Sequence, residues 1–169
     1  RTEWLEFLVP ECDWGLGGST YAQEGDGDGR FTRLNFSFND LLDGSIPPEI
    51  SLLSNLRSLK LQDCESLEQD LSDLIPTEIE TIPGLNQLLF ANNAIFGTNP
   101  SRIANLNLTS LNLDGNDLTG TLPTELGNMK SLRNLILDLN HYLTGSVPSE
   151  LGLATSLEFL YLHSTGIMG

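Results

Sequence analysis

The sequence contains few basic residues and no long apolar run, and both shortages exclude classes of function. Lysine and arginine together number 8, against 23 aspartates and glutamates, so the formal net charge is -15. A surface this negative repels phosphate backbones and anionic lipid headgroups, so we expect no binding to nucleic acid or to a membrane surface. Since no run of about 18 apolar residues occurs, nothing in the 169 residues is predicted to span a bilayer.

Residues that commonly carry catalysis or cross-links are scarce as well. The only cysteines are Cys12 and Cys64. They either form a disulfide across about fifty residues or, as we favour, stay unpaired with Cys64 facing the interior. The only histidines are His141 and His163, and the sequence lacks the Gly-x-Ser-x-Gly, His-Glu-x-x-His and P-loop motifs. We therefore predict no catalytic residues and no cofactor.

One acidic stretch, residues 24–31, begins like a calcium-binding loop, with oxygen ligands at alternate positions. The position at which such a loop needs a bidentate glutamate is occupied by Asn35, and no helix is predicted on either side. We interpret the stretch as a polar turn that leads into a strand over residues 31–38, and we predict no metal site.

What the sequence does contain is an internal repeat, Leu-x-Leu-x-x-Asn-x-Leu-x-Gly-x-Leu-Pro. Successive copies begin 25, 29, 23, 24 and 25 residues apart. Their first residues are Leu34, Leu59, Leu88, Leu111, Leu135 and Leu160. One copy cannot bury its own leucines, whereas stacked copies bury a continuous core, so the repeat predicts a solenoid.

Each recurring residue has a physical role. The Leu-x-Leu alternation predicts a short strand with one buried face. The asparagine just past the strand can pair with backbone groups that the turn leaves unsatisfied, so stacked copies should form a ladder. The glycine permits a positive φ, and the proline ends strand pairing. The predicted ladder consists of Asn39, Cys64, Asn93, Asn116, Asn140 and Thr165.

These residues resemble the leucine-rich repeat family, in its plant-type subclass with the signature Leu-Thr-Gly-x-Ile-Pro. Residues 118–123 read LTGTLP and residues 143–148 read LTGSVP, and Glu-Leu-Gly follows each. The resemblance implies an α/β repeat solenoid. Such a solenoid is a curved, right-handed horseshoe with a parallel sheet on the concave face and 3₁₀ or short helical turns on the convex face. Residues 31–169 would form about five and a half repeats, truncated at the C-terminus.

Residues 1–30 are predicted to form an N-terminal cap, because the open face of an end repeat would otherwise expose apolar side chains. Residues 12–14, Cys-Asp-Trp, resemble the Cys-x-Trp of the cap in the same subclass. That cap usually carries a second cysteine a few residues on, and residues 16–20 contain none. The disulfide that is usual in such a cap therefore lacks its second cysteine in this sequence.

On a strand that reads x-x-Leu-x-Leu-x-x, the residues beside the leucines face solvent on the concave side and line up in columns. Several of these positions are apolar or aromatic. Exposed apolar groups with polar neighbours can mark a partner site, although single ones are also ordinary on a surface. The concave residues predicted to bind a ligand are Arg33, Lys60, Leu89, Asn112, Asp114, Ile136, Asp138, Phe159, Tyr161 and His163.

Two further features have more than one interpretation. An insertion of about five residues between Cys64 and Ile75 carries four acidic residues; it is either a contact loop or a tolerated surface bulge. Asn35 and Asn107 each begin an Asn-x-Ser/Thr sequon and would accept N-glycans if the chain is secreted.

The resemblance implies a non-catalytic recognition module of an extracellular or cell-surface receptor, which binds a peptide, protein or glycan on its concave face. A membrane anchor or kinase domain of such a receptor would lie beyond residue 169. Two alternatives remain. One is a secreted inhibitor of polysaccharide-degrading enzymes, built from the same repeat, and the other is a structural solenoid without a specific ligand.

Overall fold

A computed structural model describes residues 24–25, 31–40, 42–64, 66–99 and 101–168. These residues coil into an α/β repeat solenoid, which is the fold class that the repeat predicted. Most of the predicted cap, including Cys12, and residues 26–30 of the acidic stretch lie outside the described residues.

The concave face is a seven-stranded sheet to which each repeat contributes one short strand. Its strands are β1 Glu24–Gly25, β2 Phe31–Asn35, β3 Ser58–Lys60, β4 Gln87–Leu89, β6 Ser110–Asn112, β8 Asn134–Ile136 and β10 Phe159–Tyr161. Six of them pair in parallel in the order β2-β3-β4-β6-β8-β10, and β1 pairs with β2 in the antiparallel sense. The strand expected over residues 31–38 is shorter in the structure, where β2 ends at Asn35. The chain turns soon afterwards, at Phe38, whose φ is 61°.

The convex side consists of one 3₁₀ turn per repeat. These turns are Pro48–Leu52, Thr77–Thr81, Ser101–Asn105, Thr124–Asn128 and Ser149–Leu153. A proline precedes four of them among the described residues, with φ between -65° and -71°. The fixed φ of proline and its missing N–H end the preceding pairing and start the turn. Each turn buries an aliphatic side chain at its third residue, so the turns close the core opposite the sheet.

A second set of parallel strands, which the repeat did not predict, joins the two sides. β5 Phe96–Thr98 pairs with β7 Asp117–Thr119, and β9 Thr144–Ser146 pairs with β11 Gly166–Met168. The recurring glycine lies here: Gly145 has a φ of 83°, and a Cβ on it would lie 2.8 Å from Thr121 Cγ2. Glycine is therefore required both by the backbone conformation and by the close approach of the neighbouring repeat.

The core is a pair of leucine rows that run the length of the stack. The first leucine of the repeat is fully buried at Leu59, Leu88, Leu111 and Leu135. Its counterpart Leu160 on β10 is 38% exposed. Each fully buried leucine of the row stabilises the stack by roughly 1.5–3 kcal/mol.

The insertion after Cys64 forms a short helix, α1 Leu71–Leu74. Asp70 caps it by accepting hydrogen bonds from the backbone N–H and the hydroxyl of Ser72. Leu71 and Leu74 are fully buried, so the insertion adds side chains to the core, whereas its acidic residues Glu68 and Asp73 are exposed. Arg102 of the next repeat donates to the Ser72 and Ile75 carbonyls at the C-terminal end of α1.

Within the described parts of the chain, every helix is too short to cross a bilayer.

Candidate functional site

The strand register places the predicted concave residues in straight columns across the sheet. The central column is Asn35, Lys60, Leu89, Asn112, Ile136 and Tyr161. The column before it is Arg33, Ser58, Gln87, Ser110, Asn134 and Phe159. Neighbouring strands lie about 4.8 Å apart, so the six parallel strands span about 24 Å.

The third column lies just past the strands and is only partly open to solvent. Its members are Ser37, Gln62, Ala91, Asp114, Asp138 and His163. Ser37 and Ala91 are buried there, contrary to the expectation that this column faces solvent throughout. The chain turns inward at this point, which removes small side chains from the surface. Gln62, Asp114 and Asp138 are half-buried there, and His163 is exposed.

The ladder asparagines hold the edge of the concave face in place. Asn116 Nδ2 donates to the carbonyls of Leu113 and Asp114 in its own repeat and to Phe90 in the previous one, at 2.9–3.1 Å. Its Oδ1 accepts from the Ile95 backbone N–H at 3.1 Å. Asn93 and Asn140 bond in the same way, so each of these amides ties two adjacent repeats together.

The substituted ladder positions bond differently. Cys64 is buried and without a disulfide partner among the described residues, and its Sγ lies 3.3 Å from the Phe36 carbonyl. Burial raises the pKa of this thiol above its ordinary value. Thr165 donates to the Leu162 carbonyl at 2.8 Å and accepts weakly from the Ile167 N–H at 3.4 Å, both within its own repeat. Asn39 is buried.

A row of left-handed residues directly precedes the ladder, and sequence reasoning missed it. Its members are Phe38, Asp63, Asn92, Gly115, Leu139 and Ser164, with φ between 55° and 61°. Only one of the six is glycine, so composition gives little signal. The detectable signal is the position itself, one residue before each ladder residue. The row turns Leu139 outward beside the concave columns, where it is 45% exposed.

Two carboxylates lie side by side on adjacent repeats of the third column. Asp138 Oδ1 accepts from the His163 backbone N–H at 2.6 Å. Asp114 Oδ1 is buried and has no hydrogen-bond partner among the described residues. This burial, and then the charge of Asp138, raise the pKa of Asp114 above its ordinary value, against a smaller opposing effect of the Gly115 backbone N–H.

Apolar groups occupy the same end of the face. The rings of Phe159 and Tyr161 stack with centroids 6.2 Å apart and planes 8° from parallel, and they are 49% and 45% exposed. Ile136 is the neighbour of Tyr161 in the central column. Arg33 and Lys60 lie at the opposite end, on β2 and β3. The structure thus divides the predicted site into a basic end and an acidic, aromatic end, with Leu89 between them.

Three candidates remain: Asn35 at the β2 end of the central column, Asn107 shortly before β6, and His163 in the third column. Asn35 is half-buried on β2, and its Oδ1 accepts from the Ser37 N–H at 3.0 Å. Asn107 is exposed, and Ser131 Oγ donates to its Oδ1 at 2.6 Å. Ser164 Oγ lies 2.8 Å from His163 Nδ1. No group of three metal-ligating side chains occurs in the portion of the chain that the structure covers.

The family model for the Leucine Rich Repeat matches residues 107–129, which include β6 and the Asn116 ladder position. The unit of this matched copy recurs along residues 34–168 and builds the solenoid described above. This chain is therefore similar to the leucine-rich repeat family in its repeat and in its fold. Its leucine-rich repeats are of the plant type, with a proline-led 3₁₀ turn on the convex side.

Comparison with known proteins gives relatives among plant receptors. Receptor-like protein 6 of Arabidopsis thaliana is 34% identical over 97 residues, which cover 57% of this chain and 9% of that protein. The ectodomain of the Arabidopsis thaliana receptor kinase GASSHO1/SCHENGEN3, solved with CASPARIAN STRIP INTEGRITY FACTOR 2, superimposes with a TM-score of 0.73. That alignment has 30% identity and covers 89% of this leucine-rich repeat chain and 17% of the ectodomain chain.

The plant peptide hormone receptor RGFR1, solved with RGF2, gives a TM-score of 0.64 at 33% identity. The alignment covers 74% of this chain and 19% of the receptor chain. The leucine-rich repeat chain therefore spans less than a tenth of its curated relative and less than a fifth of either receptor structure.

Proposed function

We propose that this chain is a ligand-binding module of an extracellular, receptor-like protein, and that it takes a peptide or protein segment across its concave face without catalysis. The observation that carries the proposal is the exposed, stacked pair of Phe159 and Tyr161, which lies next to Ile136 on the concave sheet. Aromatic groups in this position bury a large area when a partner covers them, and such groups dominate binding energy at interfaces.

The similar proteins support this choice of ligand. RGFR1 and GASSHO1/SCHENGEN3 were each solved as a complex, and RGFR1 is a peptide hormone receptor. An extended peptide advances about 3.3 Å per residue, so about seven residues would cross the six parallel strands. The face is thus long enough to select a short sequence through its side chains. The GASSHO1/SCHENGEN3 chain is an ectodomain of a membrane receptor kinase, and this likeness supports the proposed extracellular location.

The convex side is a weaker candidate for the ligand. Its exposed large apolar side chains include Leu52 and Leu153, which lie on the first and last of the five turns. Scattered exposed leucines are normal on a protein surface and require no partner. The stacked rings differ because they lie on the concave sheet, where Tyr161 is the neighbour of Ile136.

The test uses a phage-displayed library of random dodecapeptides, panned on the full 169-residue chain. Binding of each enriched phage is then compared on two triple-alanine variants. The concave variant changes Asn112, Ile136 and Tyr161, and the convex control changes Glu125, Ser149 and Leu153. Truncating a hot-spot residue at an interface to alanine costs at least about 2 kcal/mol of binding free energy. The concave variant should therefore bind at least about tenfold more weakly. The control should bind as the parent does.

Circular dichroism spectra of both variants verify that the fold persists. Equal binding to the two variants would show that the concave face is not the ligand site. Failure to enrich any peptide would count against a peptide-binding function as a whole.

A further inference from the structure

We infer that the concave surface over β6, β8 and β10 binds a basic side chain, arginine or lysine, that is flanked by apolar residues in an extended peptide ligand. The inference rests on the proposed function and adds the chemistry of the ligand. It concerns one named surface, formed by Ile136, Leu139, Phe159 and Tyr161 with Asp114 and Asp138 beside them, which we call the acidic-aromatic surface.

The apolar part of this surface calls for a partner. Phe159 and Tyr161 stack on one another and leave their outer ring faces open. Leu139 is held outward by its left-handed backbone, with a φ of 56°, so it cannot turn into the core without a change of the turn. Phe159, Tyr161 and Leu139 are thus three large exposed apolar side chains on two adjacent repeats, which distinguishes them from single exposed leucines.

The carboxylates decide which partner fits. Asp114 Oδ1 is buried and lacks a donor, and the single hydrogen bond of Asp138 comes from a backbone N–H. No lysine or arginine of the described residues forms an ion pair with either carboxylate. The basic residues Arg33 and Lys60 are on β2 and β3, about two or more strand spacings of 4.8 Å from β6. Within the described part of the chain, no cation therefore compensates these two negative charges.

A guanidinium or ammonium group satisfies both parts of the surface at once. It donates charge-assisted hydrogen bonds to carboxylates, and it lies favourably over the face of an aromatic ring. An acidic ligand side chain would add a third negative charge, and an apolar one would desolvate the carboxylates without supplying a donor. A neutral polar side chain would donate a hydrogen bond but leave the two negative charges uncompensated. Charge complementarity thus selects the basic side chain, and the apolar patch selects its neighbours.

Protonation is consistent with this geometry. The pKa of Asp114 is raised by its burial and then by the adjacent Asp138, and a cation between the carboxylates would offset the repulsion between them. The other titratable groups facing this surface are Tyr161 and His163, and the backbone N–H of His163 already bonds Asp138.

The test uses positional-scanning pools of fluorescein-labelled heptapeptides, each pool with one residue type fixed at the central position. Binding to the full chain is read by fluorescence anisotropy. Pools with a fixed arginine or lysine should give the strongest binding. The double variant Asp114→Asn with Asp138→Asn should bind these pools about tenfold more weakly, which is the effect expected from the loss of one charge-assisted contact. Asparagine keeps an acceptor for the His163 N–H.

The matched control is Asp117→Asn with Glu125→Gln, which removes two exposed carboxylates outside the concave face. Both double variants change the net charge equally, so a loss confined to the first cannot be general electrostatics. Tyr161→Ala should also weaken the arginine pool, and Tyr161→Phe should retain it because the ring face remains.

Preference for glutamate or neutral pools, with binding still abolished by the concave triple-alanine variant, would overturn the inference and leave the proposed function standing. Equal losses in the two double variants would overturn it as well. If no pool binds in a concave-dependent manner, both proposals fail.

Discussion

Asn99 occupies a core position where the neighbouring repeats have aliphatic side chains. Its counterparts Ile46, Ile75 and Leu122 are buried, and Asn99 itself is 5% exposed. Neither its Nδ2 nor its Oδ1 has a hydrogen-bond partner among the described residues. We predict that Asn99→Leu stabilises the protein, because leucine has nearly the same shape and no polar atoms to desolvate.

The magnitude follows from two contributions. A buried polar group without a partner costs roughly 1–3 kcal/mol. Burying a leucine contributes roughly 1.5–3 kcal/mol, an upper value since the unfolded chain is itself partly compact. We therefore expect the free energy of unfolding to rise by about 3 kcal/mol. At about 2–4 °C per kcal/mol, the melting temperature should rise by about 6–12 °C.

The ladder provides a matched control with the opposite sign. Asn116 is as buried as Asn99, at 4% exposure, but its amide makes four hydrogen bonds to the backbone. Asn116→Leu orphans those groups and should lower the free energy of unfolding by about 2–4 kcal/mol. The same substitution at equal burial thus tests hydrogen bonding and leaves hydrophobicity constant.

Urea unfolding followed by far-ultraviolet circular dichroism measures both variants. The midpoint should shift at an unchanged m-value, and a second probe must give the same transition, because repeat arrays can lose cooperativity. If Asn99→Leu is neutral or destabilising while Asn116→Leu behaves as expected, the Asn99 amide is satisfied in solution and the reasoning is refuted.

Two further predictions concern the concave edge. Leu139→Gly should stabilise the protein by about 0.5–1 kcal/mol. The left-handed conformation costs a non-glycine residue roughly 1–2 kcal/mol, and the larger conformational entropy that glycine loses on folding offsets part of this gain. In the same urea assay, Gly115→Ala should destabilise it, because its Cβ would lie 2.5 Å from Asn92 Oδ1. Asp114→Asn should stabilise the protein at pH 7 and lose this advantage as the pH falls to about 3.9. The raised pKa means that the folded parent binds more protons than the unfolded chain, so the parent gains stability on acidification. Melting temperatures measured from pH 7 to pH 3.5 check the sign, and a pH-independent difference between parent and variant would contradict it.

The periodic features of the fold could be predicted from the sequence because they repeat. The spacing of the first leucines fixes which strand residues pair, so Lys60, Asn112 and Tyr161 fall in one column as expected. The asparagines after the strands bond to the backbone of adjacent repeats because a turn always leaves such groups unpaired.

Features that depend on contacts between repeats could not be predicted in this way. The pairing of β5 with β7 depends on how far one repeat is displaced along its neighbour, which the spacing does not determine. Leu139 and Phe38 adopt a left-handed conformation because the fold imposes it, against the preference of those residues. The unpaired oxygen of Asp114 likewise arises from packing and has no local sequence signal.

The Thr165 position affects the order in which the repeats come apart. Asn93, Asn116 and Asn140 each bond to the repeat before their own, whereas both hydrogen bonds of Thr165 stay within its repeat. In a linear array, stability is a sum of terms for each repeat and for each contact between neighbours. The contact between the repeats of β8 and β10 therefore lacks the amide contribution that Asn93, Asn116 and Asn140 make at the other contacts. Unfolding of the stack should therefore have a direction, with β10 and β11 opening at lower free energy than β6 and β8.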